Sequence, residues 1–380
     1  MQHCAFHTLL AIPRAARPWC LSFAHALIAT LGLLSGSIAG LAQERLATDP
    51  VQLPALGAEL QQTSVSGLSS GAFMASQFHF AHSRIVVGAG VVAGGPYACA
   101  EVGYPYTITP WTSSNSVATV AMGRCMRDNY FFWWRLPSTD ALERHARRLA
   151  RDGSIDPLEG LARTRVYFFS GGDDSVVVPT VVESGRLLYE RLGVPPANLK
   201  SETRERAGHA FITKDKGGAC GRKDAHFITN CNYDQAKDIL EHVYGAPLRE
   251  PRNVEVATKP VIFDQRPFIR DSTDHGLDDA GFLYVPSNCR AVPGCRVHVV
   301  FHGCAQQRSA VGEAVVTDGG FVNWADANRL IVLFPQVAAR PVSNPYGCWD
   351  WWGYTGRAYL TRNGLQMQAV RRMLERLAER

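Results

Sequence analysis

Short apolar runs with strand character, each followed by a stretch with helical character, recur along the chain. Examples are TRVYFFSGG followed by TVVESGRLLYERLG, and CRVHVVFHG followed by FVNWADANR, with further strand-like runs in RIVVGAGVVAGG and LIVLFPQ. Strands that are apolar throughout are buried on both faces, and helices between them cover those faces of a parallel sheet. The sequence therefore predicts an α/β fold with a mostly parallel central sheet flanked by helices.

The amino-terminal segment has the order of a secretory signal peptide. Arg14 and Arg17 precede a mostly apolar run from Leu21 to Ile38, and small residues follow around position 42. We therefore expect residues 1–42 to be removed and the protein to be secreted, into the periplasm or the medium; an uncleaved membrane anchor is the alternative. No later stretch contains the roughly 18 consecutive apolar residues that a spanning helix needs, which argues against stable membrane association.

Residues 43–380 are predicted to form a single catalytic domain, because no internal repeat, low-complexity block or long Ser/Gly-rich linker divides them. The region around 107–161, with FFWWRLPS and DALERHARRLARD, is expected to be an insertion on the sheet that forms a cap. The net charge of +5 is spread along the chain, and basic stretches such as RRMLERLAER contain the interleaved acids of solvated helix faces. We expect a monomer without a nucleic-acid partner.

Eight cysteines follow the predicted signal peptide, and an even number in an exported chain favours disulfides. We expect sequential pairs, although eight cysteines allow 105 connectivities. A zinc site is the competing interpretation, but there is no Cys-x-x-Cys knuckle and no paired Cys/His spacing of the structural-zinc kind, so no metal is expected. The expected pairs are Cys99 with Cys125, Cys220 with Cys231, Cys289 with Cys295, and Cys304 with Cys348.

The stretch SVSGLSSGAF places a Gly-x-Ser-x-Gly pattern between a strand-like and a helix-like segment. In a nucleophile elbow the serine occupies a tight strand-to-helix turn, and glycines flank it because the helix packs close to the strained backbone. This register selects Ser69 rather than Ser70, which has Leu68 and Ala72 where the glycines belong. Ser69 is therefore the candidate nucleophile, and a small-residue structural turn is the alternative.

A serine hydroxyl needs a histidine to accept its proton and a carboxylate to orient that histidine. On α/β-hydrolase folds these residues follow in the order Ser, Asp, His. The segment SGGDDSVV, at the end of a predicted strand, contains Asp173 and Asp174, and its Gly-x-x-Asp-x-x-Val frame favours Asp174. His209 follows in the glycine-flanked RAGHAFITK, with His226 in DAHFITN as the second choice. The predicted triad is Ser69, Asp174 and His209.

The order of the segments differs from that of ordinary α/β-hydrolases. The His-Gly strand end that usually precedes the nucleophile occurs here in VHVVFHGCAQQ, roughly 230 residues after Ser69, and the strand LIVLFPQ is displaced with it. Each half keeps its internal order while the two halves are exchanged. A circular permutation would produce this order, so we expect a circularly permuted α/β-hydrolase fold.

This order, together with the segments SVSGLSSGAFMA, SGGDDSVV, GHAF, VVFHGCAQ, FPQ and NPYGCWDWWGY, resembles that of the single-domain, circularly permuted poly(3-hydroxybutyrate) depolymerases. The resemblance covers nearly all of residues 55–380. It implies that the backbone N–H groups of Ser70 and Cys304 form the oxyanion hole, and that Trp349 lines the cleft for the polyester. It also implies a serine esterase that cleaves a polyester or oligoester substrate through an acyl-enzyme, with no cofactor.

Feruloyl-type and other carboxylesterases share much of this framework, so an esterase acting on polysaccharide esters is the alternative function. A hydrolase fold used only for binding is disfavoured, because all the expected catalytic segments are present. Aromatic side chains suit a polymer of methyl-bearing ester units, which offers apolar surface and few hydrogen-bonding groups. Trp351 and Trp352, like Trp133 and Trp134, are interpreted as either cleft or core residues.

Overall fold

A computed structural model of the chain describes residues 50–102, 114–127, 135–204, 206–222, 224–251, 259–269 and 275–380. Four features predicted from the sequence lie outside these ranges: the signal peptide (1–42), the start of the catalytic domain at residue 43, Trp133 and Trp134. Parts of the predicted insertion, at 107–113 and 128–134, also lie outside them.

The apolar runs form most of the strands of a large sheet, and shorter segments form a small one. In chain order the described strands are β1 (Thr63–Leu68), β2 (Val86–Val92), β3 (Arg165–Gly171), β4 (Leu199–Arg204), β5 (Phe211–Thr213), β6 (Gly218–Ala219), β7 (Ile228–Asn230), β8 (Val261–Asp264), β9 (Ala280–Tyr284), β10 (Arg296–Phe301) and β11 (Leu330–Phe334).

The large sheet has the strand order β4-β3-β2-β1-β10-β11-β9-β8, and the small sheet has the order β5-β7-β6. In the large sheet, the pairs from β4 across to β11 are parallel, whereas the β11–β9 and β9–β8 pairs are antiparallel. Strand β1 lies between β2 and β10, with Gly67 beside Phe301. The predicted α/β fold with a mostly parallel sheet is confirmed, and the circular permutation stays a prediction.

Helices connect the strands and cover both faces of the large sheet. The α-helices described are α1 (Ser70–Ala81), α2 (Ser114–Cys125), α3 (Thr139–Arg151), α4 (Pro179–Arg191), α5 (Gln235–Tyr244), α6 (Ser287–Ala291), α7 (Arg308–Val311), α8 (Ala314–Asp318), α9 (Phe321–Ala327) and α10 (Leu365–Ala378). Short 3₁₀ helices are formed by Leu60–Gln62, Leu158–Arg163, Pro196–Asn198 and Arg266–Phe268.

Successive residues of a strand contribute side chains to two separate cores, one on each face of the large sheet. In β3, Val166 and Phe168 belong to the core that contains residues of α1, α3, α4 and α10. Tyr167 and Phe169 belong to the core that contains residues of α5 and α9. Because side chains alternate across a strand, a strand that is apolar at every position serves both cores. This arrangement explains why the strand-like runs are continuously apolar.

The two ends of α5 illustrate how local sequence determines where a helix begins and ends. Asp234 precedes the helix, and its Oδ1 accepts a hydrogen bond from the Lys237 N–H at 3.0 Å, which is the usual role of an N-cap aspartate. Gly245 follows the last turn with a φ of 66°, a conformation that favours glycine and ends helices. The helix that supports β2 and β3 therefore begins and ends at residues suited to those positions.

Four disulfides join the described cysteines, and they are the sequential pairs expected from the sequence. One of them joins the carboxyl end of α2 to the segment after β2, and another joins the loop after β10 to the segment before α10. The pairs are Cys99–Cys125, Cys220–Cys231, Cys289–Cys295 and Cys304–Cys348.

From Asp49 to Arg380 the described residues form one compact unit. Helix α3, which belongs to the predicted insertion, packs against α4 in this unit. None of the helices in the described ranges is both long enough and apolar enough to span a membrane. The boundaries of the catalytic domain (43–380) and of its cap (107–161) stay predictions.

Candidate active site

Ser69 occupies the turn between β1 and α1. Its backbone has a φ of 56° and a ψ of −120°, a positive-φ conformation that is uncommon for a residue with a side chain. Its N–H donates to the Val92 carbonyl at 2.9 Å, while its own carbonyl accepts from the N–H groups of Ala72 and Phe73. Backbone hydrogen bonds on both sides thus hold a strained strand-to-helix turn, which is the geometry of a nucleophile elbow.

Gly67 and Gly71 allow this turn to form against the neighbouring strand. A Cβ on Gly67 would lie 2.2 Å from the carbonyl oxygen of Gly71, and a Cβ on Gly71 would lie 2.1 Å from that of Phe301. Both distances are far below van der Waals contact, so only glycine fits at these positions. Helix α1 therefore starts directly against β1 and β10, and all of its residues are buried.

Asp174 and His209 form a buried hydrogen-bonded pair at the carboxyl ends of the strands. His209 Nδ1 donates to Asp174 Oδ2 at 2.8 Å. The other carboxylate oxygen, Oδ1, accepts from the N–H groups of Val176 and Val177 at 2.8 and 2.9 Å. The Asp174 side chain has no exposed surface and that of His209 is 9% exposed. Since Nδ1 is bonded to the carboxylate, Nε2 is the nitrogen left to accept a proton.

The second choices from the sequence, Asp173 and His226, lie in other surroundings. Asp173 is exposed, and its N–H donates to the Ala207 carbonyl at 3.0 Å. The His226 side chain is exposed as well, and its carbonyl accepts from Gln306 Nε2 at 2.6 Å. The structure brings Asp174 together with His209, and leaves both alternatives at the surface.

Two backbone N–H groups near Ser69 are available to a substrate. Among the described residues, neither the N–H of Ser70 nor that of Cys304 has an acceptor. The adjacent N–H groups are engaged, because Gly303 N donates to Gln306 Oε1 at 2.7 Å and Ala305 N donates to a carbonyl at 2.6 Å. Unused donors beside a nucleophile can stabilise the negative charge that develops on an attacked carbonyl oxygen.

His302 supports the loop after β10 as a neutral side chain. Its Nδ1 donates to the Gly303 carbonyl at 2.8 Å, and its Nε2 accepts from the Val337 N–H at 3.3 Å. Burial lowers the pKa of His302 to about 4, so the imidazole is uncharged near neutral pH. The ring therefore fixes the position of the turn that precedes Cys304, and both of its nitrogens are engaged in doing so.

The Cys304–Cys348 disulfide connects this loop with the tryptophan-rich segment WDWW. Two further contacts hold the same region: Trp349 N donates to Ser70 Oγ at 3.3 Å, and Asn344 Oδ1 accepts from Cys348 N at 2.8 Å. The loops that carry the two available N–H groups are therefore joined through one cross-linked segment.

Ser69, His209 and Cys304 line a single cavity of about 730 Å³. Its walls are mainly apolar and include Met122 of α2 and Trp351. In the part of the chain described, no group of three or more His, Cys, Asp or Glu side chains is arranged to hold a metal ion. A concave, largely apolar cavity with a few convergent polar groups is the usual form of a small-molecule site.

Trp349 does not line this cavity, contrary to the expectation from the resemblance. The residue has no exposed surface, and its ring lies against Phe301 and His302 with centroid distances of 4.9 and 5.8 Å. Trp351 and Trp352 line the cavity instead. The predicted role of Trp349 in the cleft is therefore corrected to a role in the core.

Asp350, which lies between Trp349 and Trp351, anchors the backbone that follows Trp351. Its buried Oδ1 accepts from the N–H groups of Trp352, Gly353 and Tyr354 at 3.2, 2.7 and 3.1 Å. These bonds turn residues 350–354 around the carboxylate. An aspartate whose side chain bonds the backbone two residues on is a known turn signal, and this one could have indicated the change of direction.

The mouth of the cavity was also not predicted from the sequence. It is formed in part by Val342 and Tyr346, whose side chains are 75% and 67% exposed. Pro341 and Pro345 precede these two residues in the chain. Exposed apolar side chains beside a catalytic cavity provide a surface that an apolar substrate can contact.

Comparison with known proteins identifies relatives of this chain. The chain is 40% identical over 332 residues to the poly(3-hydroxybutyrate) depolymerase of Delftia acidovorans, covering 86% of this chain and 62% of that relative. It is 32% identical over 337 residues to the polyhydroxybutyrate depolymerase of Talaromyces funiculosus, covering 84% of this chain and 90% of that relative. The chain thus spans less than two thirds of the Delftia protein. No protein-family model matches the chain.

Two solved structures match as well. One is the crystal structure of the PHB depolymerase from Penicillium funiculosum, with a TM-score of 0.74 and 30% identity over 86% of this chain and 99% of that chain. The other is a variant PHB depolymerase complexed with R3HB trimer, with the same scores and coverage. Since the identity to the Talaromyces protein extends over nearly the whole of that relative, the chain belongs to the polyhydroxybutyrate depolymerase family.

Proposed function

We propose that the protein is a serine esterase that hydrolyses the ester bonds of poly(3-hydroxybutyrate) or its oligomers. The observation that carries the proposal is the meeting of the strained Ser69 turn, the Asp174–His209 pair and two available N–H groups at one apolar cavity. The names of the two related proteins, and the R3HB trimer with which the related variant structure is complexed, provide separate support.

In the proposed first half-reaction, Ser69 Oγ attacks the ester carbonyl carbon while His209 Nε2 accepts the hydroxyl proton. Asp174 stabilises the imidazolium through the bond to Nδ1. The N–H groups of Ser70 and Cys304 donate to the carbonyl oxygen as it becomes negative. The tetrahedral intermediate then breaks the ester C–O bond, and His209 gives its proton to the leaving oxygen. An acyl-enzyme and an alcohol result.

Water completes the cycle in the second half-reaction. His209 accepts a proton from the water molecule as its oxygen attacks the acyl carbon, and returns that proton to Ser69 Oγ when the acyl–serine bond breaks. Each turnover consumes one water and yields one carboxylic acid and one alcohol end. His209 mediates every proton transfer that the cycle needs, and the two backbone N–H groups only donate hydrogen bonds to the oxyanion.

The polymer suits the cavity because each unit offers a methyl group and an ester, which accepts hydrogen bonds but has no donor. The lining side chains Met122, Trp351 and Trp352 give apolar contact area, whereas few polar groups point at the substrate. Orientation would then depend on the carbonyl oxygen at the two N–H groups, and the chain direction on contacts with the aromatic rings.

We also propose that the protein is exported as a monomer after removal of residues 1–42, with 43–380 as the catalytic domain and the 107–161 region as its cap. Four disulfides support export, since such bonds persist in oxidising compartments. Sequencing the amino terminus of the secreted protein and measuring its mass in solution test these statements.

A substrate panel tests the function. The purified protein is assayed on amorphous poly(3-hydroxybutyrate), its short oligomers, p-nitrophenyl butyrate and methyl ferulate, with the Ser69→Ala variant prepared in parallel as the control. We expect release of 3-hydroxybutyrate or its oligomers from the first two substrates. Release of ferulate without any action on the hydroxybutyrate esters would identify the polysaccharide-esterase alternative instead.

The exposed pair at the cavity mouth predicts a difference between long and short substrates. The double substitution Val342→Ser and Tyr346→Ala is expected to lower polymer hydrolysis by about 10-fold. A fully covered apolar side chain contributes roughly 1.5–3 kcal/mol to binding, and only part of this is available at the rim of a cavity. Hydrolysis of p-nitrophenyl butyrate should change little. The matched control is Val292→Ser, an exposed valine that does not line the cavity; equal losses on both esters would contradict the assignment.

The Cys304–Cys348 disulfide predicts a combined loss of activity and stability. Cys348→Ser is expected to lower turnover by about 10²- to 10³-fold, because the Cys304 N–H would lose its position as an oxyanion donor. It should also lower the free energy of unfolding by roughly 2–4 kcal/mol. Steady-state kinetics and urea unfolding measure the two effects.

The control for this prediction is Cys295→Ser, which removes a disulfide that does not line the cavity. It should lower stability while leaving turnover within a few fold of the unchanged protein. If both variants lost activity in proportion to stability, the disulfide would have no specific role at the candidate active site.

A further inference from the structure

A second cavity, of about 880 Å³, is lined by the carboxyl end of α2 and the first turns of α3 and α4. Its lining includes Arg124, Arg135, Thr139 and Thr180. The described residues around it are all different from those that line the candidate active-site cavity. The proposed esterase reaction therefore does not use this cavity.

Arg124 places a buried cation in the wall of this cavity. The residue is only 8% exposed, and its Nε donates to the Arg135 carbonyl at 3.0 Å. Within the described ranges its terminal guanidinium nitrogens have no hydrogen-bond partner and no carboxylate forms an ion pair with it. Burial lowers the pKa of its guanidinium. The charged end of this mostly buried arginine thus reaches the cavity without a carboxylate partner among the described residues, so this position favours an anionic ligand.

Two helix amino termini face the same cavity and add to its positive potential. Helices α3 and α4 each have 13 residues, and a helix amino terminus attracts anions through its partial charge and unused N–H groups. Helix α4 begins at Pro179 without a side-chain cap and without an acidic residue in its first turn. In α3 the Ser138 hydroxyl caps the Ala141 N–H, and the Asp140 carboxylate pairs with Arg191 at 2.6 Å.

One carboxylate, that of Glu183, occurs in the described lining. It already binds Arg186 Nη2 at 2.7 Å and its side chain is 48% exposed, so it does not neutralise Arg124. Leu136 and Leu187 provide apolar wall. The cavity thus combines a positive end with an apolar side, which suits an anion attached to a short apolar chain.

We propose that this cavity binds a small carboxylate, and that its ligand is the acid end of a hydroxyalkanoate released by the enzyme. The identity of the ligand rests on the proposed function, because each ester hydrolysed yields one carboxylate. The planar guanidinium of Arg124 matches the two oxygens of a carboxylate, and the methyl-bearing chain would lie along Leu136 and Leu187.

Calorimetric titration of the Ser69→Ala variant tests the site without turnover. The probes are the 3-hydroxybutyrate trimer as the free acid and as the neutral methyl ester. We expect the acid to bind at two sites and the ester at one. Adding Arg124→Gln should weaken the second site for the acid by about 10-fold or more, as loss of a charge-assisted bond does. Adding Arg147→Gln, at a 47% exposed arginine of α3, should have no effect.

A second variant allows the proposal to be tested even if the Arg124→Gln variant does not fold. Leu187→Glu introduces a negative charge at a lining position that is 37% exposed, and it should also abolish the second site. Unchanged binding of the acid in both variants would overturn the proposal. Displacement of the acid by inorganic phosphate at 10-fold lower concentration would assign the site to phosphate and overturn the carboxylate ligand.

The outcomes separate this site from the proposed function. If the protein hydrolysed the trimer but the acid bound at one site only, the second site would be refuted and the esterase would stand. If the acid bound at Arg124 but neither polymer nor oligomer was hydrolysed, the esterase would be refuted and a carboxylate site would stand, with its product identity withdrawn.

Discussion

Ser69→Ala is expected to lower turnover on hydroxybutyrate esters by about 10⁴- to 10⁶-fold, because only oxyanion stabilisation and binding remain when the nucleophile is removed. The fold should be retained, since alanine has the same Cβ at the positive-φ turn and the Ser69 side chain makes no helix-capping bond. Initial rates on p-nitrophenyl butyrate and on the hydroxybutyrate trimer measure the loss, and circular dichroism checks the fold.

Ser70→Ala is the matched control for this loss. It removes a hydroxyl that accepts from the Trp349 N–H at 3.3 Å, but it keeps the backbone N–H that is proposed to bind the oxyanion. We expect a change of less than about 10-fold, and labelling by a fluorophosphonate probe should persist in this variant and vanish in Ser69→Ala. A large loss in Ser70→Ala with labelling retained in Ser69→Ala would show that the register of the elbow is wrong.

Asp174→Asn is expected to lower turnover by about 10⁴-fold. The carboxylate accepts the Nδ1 proton of His209, and an amide in its place would present a donor or a neutral acceptor that no longer stabilises the imidazolium. The asparagine carbonyl can still accept from Val176 N and Val177 N, so the loop should keep its conformation.

Asp173→Asn serves as the control, because it makes the same chemical change at the neighbouring position. Its side chain is exposed, and we expect a loss of less than about 3-fold, in keeping with the small effects of most surface substitutions. Kinetics of both variants on the same ester, at one pH, provide the comparison. If Asp173→Asn were the damaging change, the acid would have to be reassigned to the other aspartate.

The central sheet could be predicted from the sequence because most of its strands consist largely of apolar residues, a pattern that burial on both faces produces. The elbow could be predicted because steric crowding at Gly67 and Gly71 restricts both positions to glycine. Asp174 and His209 followed from the chemistry that a serine nucleophile requires. In each case one local requirement restricts the residue type strongly.

Features that depend on the direction of a side chain could not be predicted in the same way. Trp349 and Trp351 are two residues apart and both are buried, yet only Trp351 lines the cavity. The second cavity brings Arg124 and Thr180 together although they are far apart in the chain. Nothing in either local sequence indicates that both residues line one cavity.

The connectivity of the disulfides has a consequence for how the chain acquires them during synthesis. Each of the eight described cysteines is bonded to its neighbour among them along the chain, so no pair encloses or crosses another. A chain emerging from its amino terminus can therefore complete each bond before the next cysteine arrives, and the nearest available thiol is always the correct partner. Oxidation in order of emergence then needs no thiol–disulfide exchange to correct mispaired intermediates. The bond that joins the loops of the candidate active site, Cys304–Cys348, would close last.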